Sequence, residues 1–173
     1  MSGLFMIPLS GLKEGRYTYD FNIGDKFFEQ FEESEIKEGN LYANIELEKK
    51  SSHFEIVFKI TGSIKISCDR CLEMFLQPVE CENRLLVKPG KNWDLDDPDI
   101  LIIPADEHEL DIRQYLYEFI HLAIPIKRIH PEDKDGKSTC NPDMLDKIKE
   151  HIINYDREND PRWDELRKLM NNN

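Results

Sequence analysis

The chain of 173 residues is 39% hydrophobic and carries a formal net charge of −12, with 35 acidic residues against 23 Lys and Arg. That suffices for one globular domain with a core, while the charge argues against loose, sequence-independent grip on nucleic acid or acidic membranes, which Lys and Arg drive. No stretch approaches the roughly 18 apolar residues of a membrane span, and the start lacks a secretion signal's basic flank, so the expected setting is the cytoplasm, where the four cysteines are more readily thiols or metal ligands than disulfides.

Ile7 to Leu12 reads as a strand edge, and Gly15 to Phe21 alternates as a second short strand. Between Gly24 and Glu38, Phe27, Phe28 and Phe31 fall at helical spacing among acids, which predicts a short acidic helix or helical turn packed by its phenylalanines. The strand signal is clearest after Asn40. Leu41, Ala43, Ile45 and Leu47 alternate with polar residues, a turn follows at Lys49 to Ser52, and Phe54, Ile56, Phe58 and Ile60 alternate back, as in an antiparallel hairpin with one buried face. Gly62 permits a bend or bulge. Ile64, Ile66 and Cys68 keep the same parity, and Val79, Cys81, Leu85 and Val87 share one face of a return strand, so Cys68 to Cys71 forms a hairpin tip.

A polar loop from Pro89 to Pro98 precedes a strand at Asp99 to Pro104; the acids Asp94, Asp96, Asp97 and Asp99 lack the Gly and Glu of a calcium loop. Asp111 caps a helix with an apolar stripe of Ile112, Tyr115, Leu116, Phe119, Ile120 and Ala123, ending before Pro125. His121, beside that stripe, reads as a surface or satisfied core residue. Asn141 and Pro142 start another helix, through Ile153, and Asp160 and Pro161 repeat the signal for a terminal one with Trp163, Leu166 and Met170. The expected fold is α+β: an antiparallel sheet, built mainly within Ile7 to Ile103, covered by one long amphipathic helix, Asp111 to Ala123, with C-terminal helices. Residues 1–155 are expected to form a single domain, and 156–173 a helical extension packed on or near it.

Cys68-Asp69-Arg70-Cys71 is the one place where two soft ligands stand at a spacing that grips a single Zn²⁺ from a tight turn. The other two ligands must come from Cys81, His130 and Cys140. Cys81 sits within a strand, where a small thiol is usually core, leaving Cys68, Cys71, His130 and Cys140 as a structural site closed across distant segments. Two further readings stay open: four unliganded thiols, and a redox dithiol, which needs a cysteine at a helix N-terminus that the β pattern around Cys68 does not supply.

Cys68, Arg70, Cys71, Leu72 and Glu73, then Leu110-Asp111-Ile112 leading through Leu122-Ala123-Ile124-Pro125 to His130 and Cys140, and finally Asp160-Pro161-Arg162 with Leu166 and Leu169, resemble the YceD family in order over most of the chain. The resemblance implies a role in accumulation of large-subunit ribosomal RNA, meaning ribosome assembly or rRNA processing. Many members carry a second cysteine cluster after the Pro of the Leu-Ala-x-Pro segment; here that region offers His130 and Cys140, so the site is a mixed one.

Any contact of so acidic a protein with RNA must be local. The best cationic cluster surrounds the cysteine motif: Arg70, Lys127, Arg128, Lys134 and Lys137, with His130 and Lys65 beside them. By composition alone these cations balance Glu132, Asp133 and Asp135; the family resemblance favours contact with large-subunit rRNA or a preribosomal particle. The contrasting expectation is an acidic adaptor docking on a basic ribosomal protein or a processing enzyme. No phosphate-binding loop, nucleophile elbow or His-Glu-x-x-His helix is present, so the chain reads as a non-enzymatic binding module without a small-molecule substrate.

Overall fold

The computed structural model describes residues 5–90 and 100–151. Its elements are β1 (Met6–Pro8), β2 (Gly15–Ile23), α1 (Asp25–Phe28), β3 (Glu38–Lys49), β4 (Phe54–Ser67), β5 (Met74–Pro89), β6 (Ile100–Ile103), β7 (Glu109–Asp111), α2 (Arg113–Leu122) and α3 (Pro142–His151). The main sheet has the order β2-β3-β4-β5-β6. Its first four strands form an antiparallel meander, whose register sets Ala43 opposite Ile60, Ile45 opposite Phe58, Leu47 opposite Ile56, and Ile56 opposite Leu85. The apolar alternation therefore lands on one face, where Leu41, Ala43, Ile45, Leu47, Ile56, Phe58, Ile60, Ile64 and Ile66 are buried. The opposite face is polar and laced by cross-strand pairs such as Lys59 with Glu46 and Lys65 with Glu38.

Two parts of the apolar face have different covers. Over β4 and β5 lies α2, where Phe119 meets the buried Phe58 edge-on at 5.1 Å between ring centres. Over β3 lies the α1 segment, where Phe27 and Phe28 are buried and Phe27 packs edge-on against Phe5. The segments are joined by Phe31, stacked on Tyr117 of α2 at 4.0 Å. Gly39 makes the close approach of α1 possible, since a Cβ there would stand 2.8 Å from a Phe28 ring carbon.

Three expectations need correction. The opening strand is not an edge of the main sheet: Met6–Pro8 pairs with Glu109–Asp111 in a separate two-stranded sheet, which ties the N-terminal segment to the start of α2. The sheet is not wholly antiparallel, because β6 lies parallel to β5. The covering helix is not long. It spans the 10 residues Arg113–Leu122, since Asp111 belongs to β7 and Ile112 occupies the cap position. The acidic segment is the helical turn of the two readings, the four residues of α1 followed by further turns, with Phe27 and Phe28 buried. Gly62, which would permit a bend or bulge, lies in an unbroken strand opposite Leu41 and Val79. The polar loop through residues 91–99, the apolar positions Ile152 and Ile153, and the helix starting at Asp160 lie outside the described residues, as does the 156–173 extension.

Candidate metal centre

The cysteine turn joins β4 to β5, as the alternating parity requires. It is closed by two backbone hydrogen bonds, from Cys68 N–H to the Glu73 carbonyl at 2.9 Å and from Leu72 N–H to the Cys68 carbonyl at 2.9 Å. The price is a left-handed residue at Leu72, with φ of 61°. The tightness turns the Arg70 N–H onto the Cys68 sulfur at 3.4 Å. Burial pushes the Cys68 thiol up, but the backbone N–H groups of Cys71 and Arg70 and the His130 ring outweigh it, bringing the thiol down to about 6.

A second segment is stapled onto this turn. After α2 the chain runs to Arg128, whose carbonyl accepts the Asp69 N–H at 2.7 Å and whose own N–H donates to the Asp69 carboxylate at 2.8 Å. Two residues on, His130 packs its ring on Phe75 at 4.8 Å and aims Nδ1 at the Cys71 sulfur, 3.4 Å away. The polar stretch between His130 and Cys140 holds itself in shape. Glu132 bridges Ser138, the Asp133 carboxylate accepts the N–H groups of Asp135 and Lys137, and Gly136 takes a φ of 73°. This small hairpin returns the buried Cys140 to 3.7 Å from the Cys68 sulfur and 3.7 Å from His130 Nδ1. Ser138 lowers the Cys140 thiol's affinity for its proton, but burial and the neighbouring Cys68 and Cys71 sulfurs more than offset it, and the thiol is raised. Asn141 then donates to Glu73 at 2.7 Å and accepts the Asp143 N–H at 3.0 Å, so the cap of α3 is tied to the cysteine hairpin.

Cys68, Cys71, His130 and Cys140 thus bring four ligand atoms within 4.8 Å of one another, three of the residues being buried. A zinc tetrahedron with sulfurs at about 2.3 Å and a nitrogen at about 2.0–2.1 Å from its centre has S–S edges of about 3.8 Å and S–N edges of about 3.5 Å. The separations of 3.7, 3.4 and 3.7 Å are such edges. The donor set, three soft sulfurs and one imidazole, is one that zinc takes in closed structural sites. Cys81 is elsewhere: its half-buried thiol lies 3.8 Å from the Phe119 carbonyl beneath α2, and burial raises it. His121 donates from Nδ1 to the Tyr117 carbonyl at 2.8 Å within its own helix, and stands outside the cluster.

The proposed cations do not behave alike. Arg70, Lys127, Lys134 and Lys137 are exposed and, among the described residues, none has a carboxylate at ion-pair distance. Arg128 is instead paired with Glu35 from the acidic segment, and Lys65 with Glu38 across the sheet at 2.9 Å. Neither pairing, nor the role of Asp69 as a staple, was expected from sequence. The Asp133-Lys134-Asp135-Gly136 turn, by contrast, carries a recognisable signal in its Asp and Gly.

A small α+β protein whose sheet hairpin and helical half are pinned together at a cluster of three cysteines and one histidine is the class this geometry defines. Its family is likewise plain: the model of the large ribosomal RNA subunit accumulation protein YceD matches residues 56–170, and the chain belongs to that family. The match begins within β4 and takes in the cysteine turn, α2, the His130 to Cys140 hairpin and α3. No curated protein and no solved structure significantly matches the chain.

Proposed function

We propose that this protein is a non-enzymatic factor in large-subunit ribosomal RNA accumulation, acting in the cytoplasm by binding rRNA or a preribosomal particle through the surface around a structural zinc site. The observation that carries this reading is the four-ligand cluster, which lies inside the region matched by the family model. Four protein ligands leave a zinc ion no open coordination position, which favours a structural role over hydrolytic chemistry. The ion would hold two chain segments together. Residues of this chain would do the binding: the exposed Arg70 and Lys127 beside the cysteine turn, and Lys134 and Lys137 on the second hairpin, would meet phosphates while the acidic remainder repels them.

Elemental analysis of protein purified without added metal should find one zinc per chain; a metal-free, fully folded protein would sink the zinc assignment. Replacing Arg70, Lys127, Lys134 and Lys137 by Ala should weaken binding to large-subunit rRNA fragments and flatten its salt dependence, by a little under one unit of slope for every phosphate no longer held. A second reading has its own support. Glu35 and Glu38 already occupy Arg128 and Lys65, and the net charge of −12 suits an adaptor that docks on a basic ribosomal protein or a processing enzyme. Unaltered binding of the four-site variant to precursor particles at every salt concentration would favour that reading.

A further inference from the structure

The cysteine turn exposes apolar side chains that the fold itself does not use. Leu72 is 70% exposed, and Met74 and Leu76, the next residues at two-residue spacing, are 51% and 66% exposed. Between them Phe75 points the other way, into the core against His130. Ile126, two residues before the Arg128 backbone that is bonded to Asp69, is fully exposed as well. Leu72 is the sharpest case. It is a bulky residue in the left-handed region, where Gly or Asn is favoured, and its exposed side chain gains little burial in return. An apolar group kept under strain in the open points to burial in a complex.

The charges around this patch say what would bury it. In a chain of net charge −12, Arg70 between the two cysteines and Lys127 next to Ile126 are exposed beside the patch and have no carboxylate at ion-pair distance among the described residues. The nearby acids Asp69 and Glu73 keep their charge, but each carboxylate is held within the fold, Asp69 accepting the Arg128 N–H and Glu73 accepting from Asn141. An apolar platform flanked by free cations fits unpaired nucleotides, whose bases cover apolar side chains while adjoining phosphates meet Lys and Arg. A regular duplex hides its base faces and would leave the platform wet. We infer that Leu72, Met74 and Leu76 form a platform for the unstacked bases of single-stranded RNA, with Arg70 and Lys127 holding the flanking phosphates. This deepens the RNA-binding reading above and rests on it. The backbone bonds that close the turn make the platform rigid, so little ordering accompanies binding.

The test compares a short single-stranded RNA of mixed sequence with the same strand annealed to its complement, by fluorescence anisotropy. Wild type should prefer the single strand. Leu72→Gly suits the left-handed backbone and should fold at least as well as wild type; combined with Leu76→Ser it should lower single-strand affinity about tenfold and leave duplex binding unchanged. Arg70→Ala with Lys127→Ala should weaken both. Single-strand affinity unchanged in Leu72→Gly alone and in the double variant overturns the platform and leaves the patch to a protein partner. If wild type binds both RNA forms equally and only the charge variant weakens them, the platform falls while the RNA-binding reading stands. Should wild type bind neither form, both fall together.

Discussion

Gly62 lies in the middle of β4 with a φ of 147°, paired on both sides, and a Cβ built on it would stand 2.3 Å from the Asn40 carbonyl oxygen and 2.6 Å from the Leu41 Cα. Both obstacles are backbone of β3, which cannot rotate away. Gly62→Ala should therefore cost about 2–6 kcal/mol, combining left-handed strain with overpacking in a central strand. Urea unfolding checks it, and a midpoint equal to wild type would show that β3 and β4 are farther apart than described. Sequence signalled that something unusual happens at Gly62, yet not what. A glycine between alternating apolar residues has the same appearance at a bulge as at a close approach, and only the neighbouring strand distinguishes them. Cys68 and Cys71 were legible as candidate ligands from their spacing, whereas Asp69, read only as an intervening residue, proves to be the staple for Arg128.

Among the elements, α2 shows how far periodicity carries. Its stripe correctly marks the face that meets the sheet, with Leu116 and Ile120 buried, but Phe119 is only half-buried. Phe119→Ala should accordingly cost about 1–3 kcal/mol, less than the roughly 3–5 kcal/mol expected when the fully buried Phe58 beneath it is cut to Ala. Equal losses in thermal unfolding would contradict this order. The helix cap was misread by one residue, Asp111 for Ile112, because Asp111 has two tasks. It pairs with β1 in the backbone, while its carboxylate accepts the Arg113 N–H at 3.0 Å and the Arg113 guanidinium. That guanidinium holds the Asp111 carboxyl below its ordinary value of 3.8. A group depressed in the folded state adds stability above its unfolded pKa and loses it as pH falls through the folded value. Asp111→Asn should thus destabilise at neutral pH and converge with wild type in strong acid; with both side chains 38% exposed, the effect is well under ~1 kcal/mol. Persistent divergence at low pH would point to steric damage. At α3, reading Asn141 as a cap was sound because capping chemistry is local.

Across the whole molecule, the strands of the meander were legible because alternation is a local property, and the β6 strand was read as well, while its parallel pairing with β5 and the β1–β7 pairing were not, since the choice of partner leaves no periodic mark. The metal cluster falls between these cases. Its four members could be named, but their approach depends on Phe75, Asp69 and the Glu132–Ser138 bridge. On the zinc reading, a chelator should loosen the segment from Arg128 through α3, and amide exchange should rise there first while β3 and β4, with their own apolar core, stay protected. Simultaneous loss of protection everywhere would mean that the sheet cannot stand without the metal.

The separation between the two halves of that cluster also sets a clock. Cys68 and Cys140 are 72 positions apart, and at a translation rate of about 5–20 residues per second the second pair of ligands is made roughly 4–14 s after the first. During that interval the nascent chain presents two thiols on a hairpin with no partners, able to take up a metal weakly or to be oxidised. The last ligand to be synthesised therefore decides when the protein becomes safe from its own cysteines, and a ribosome stalled between Cys71 and His130 should display a chain far more reactive toward thiol reagents than the finished molecule.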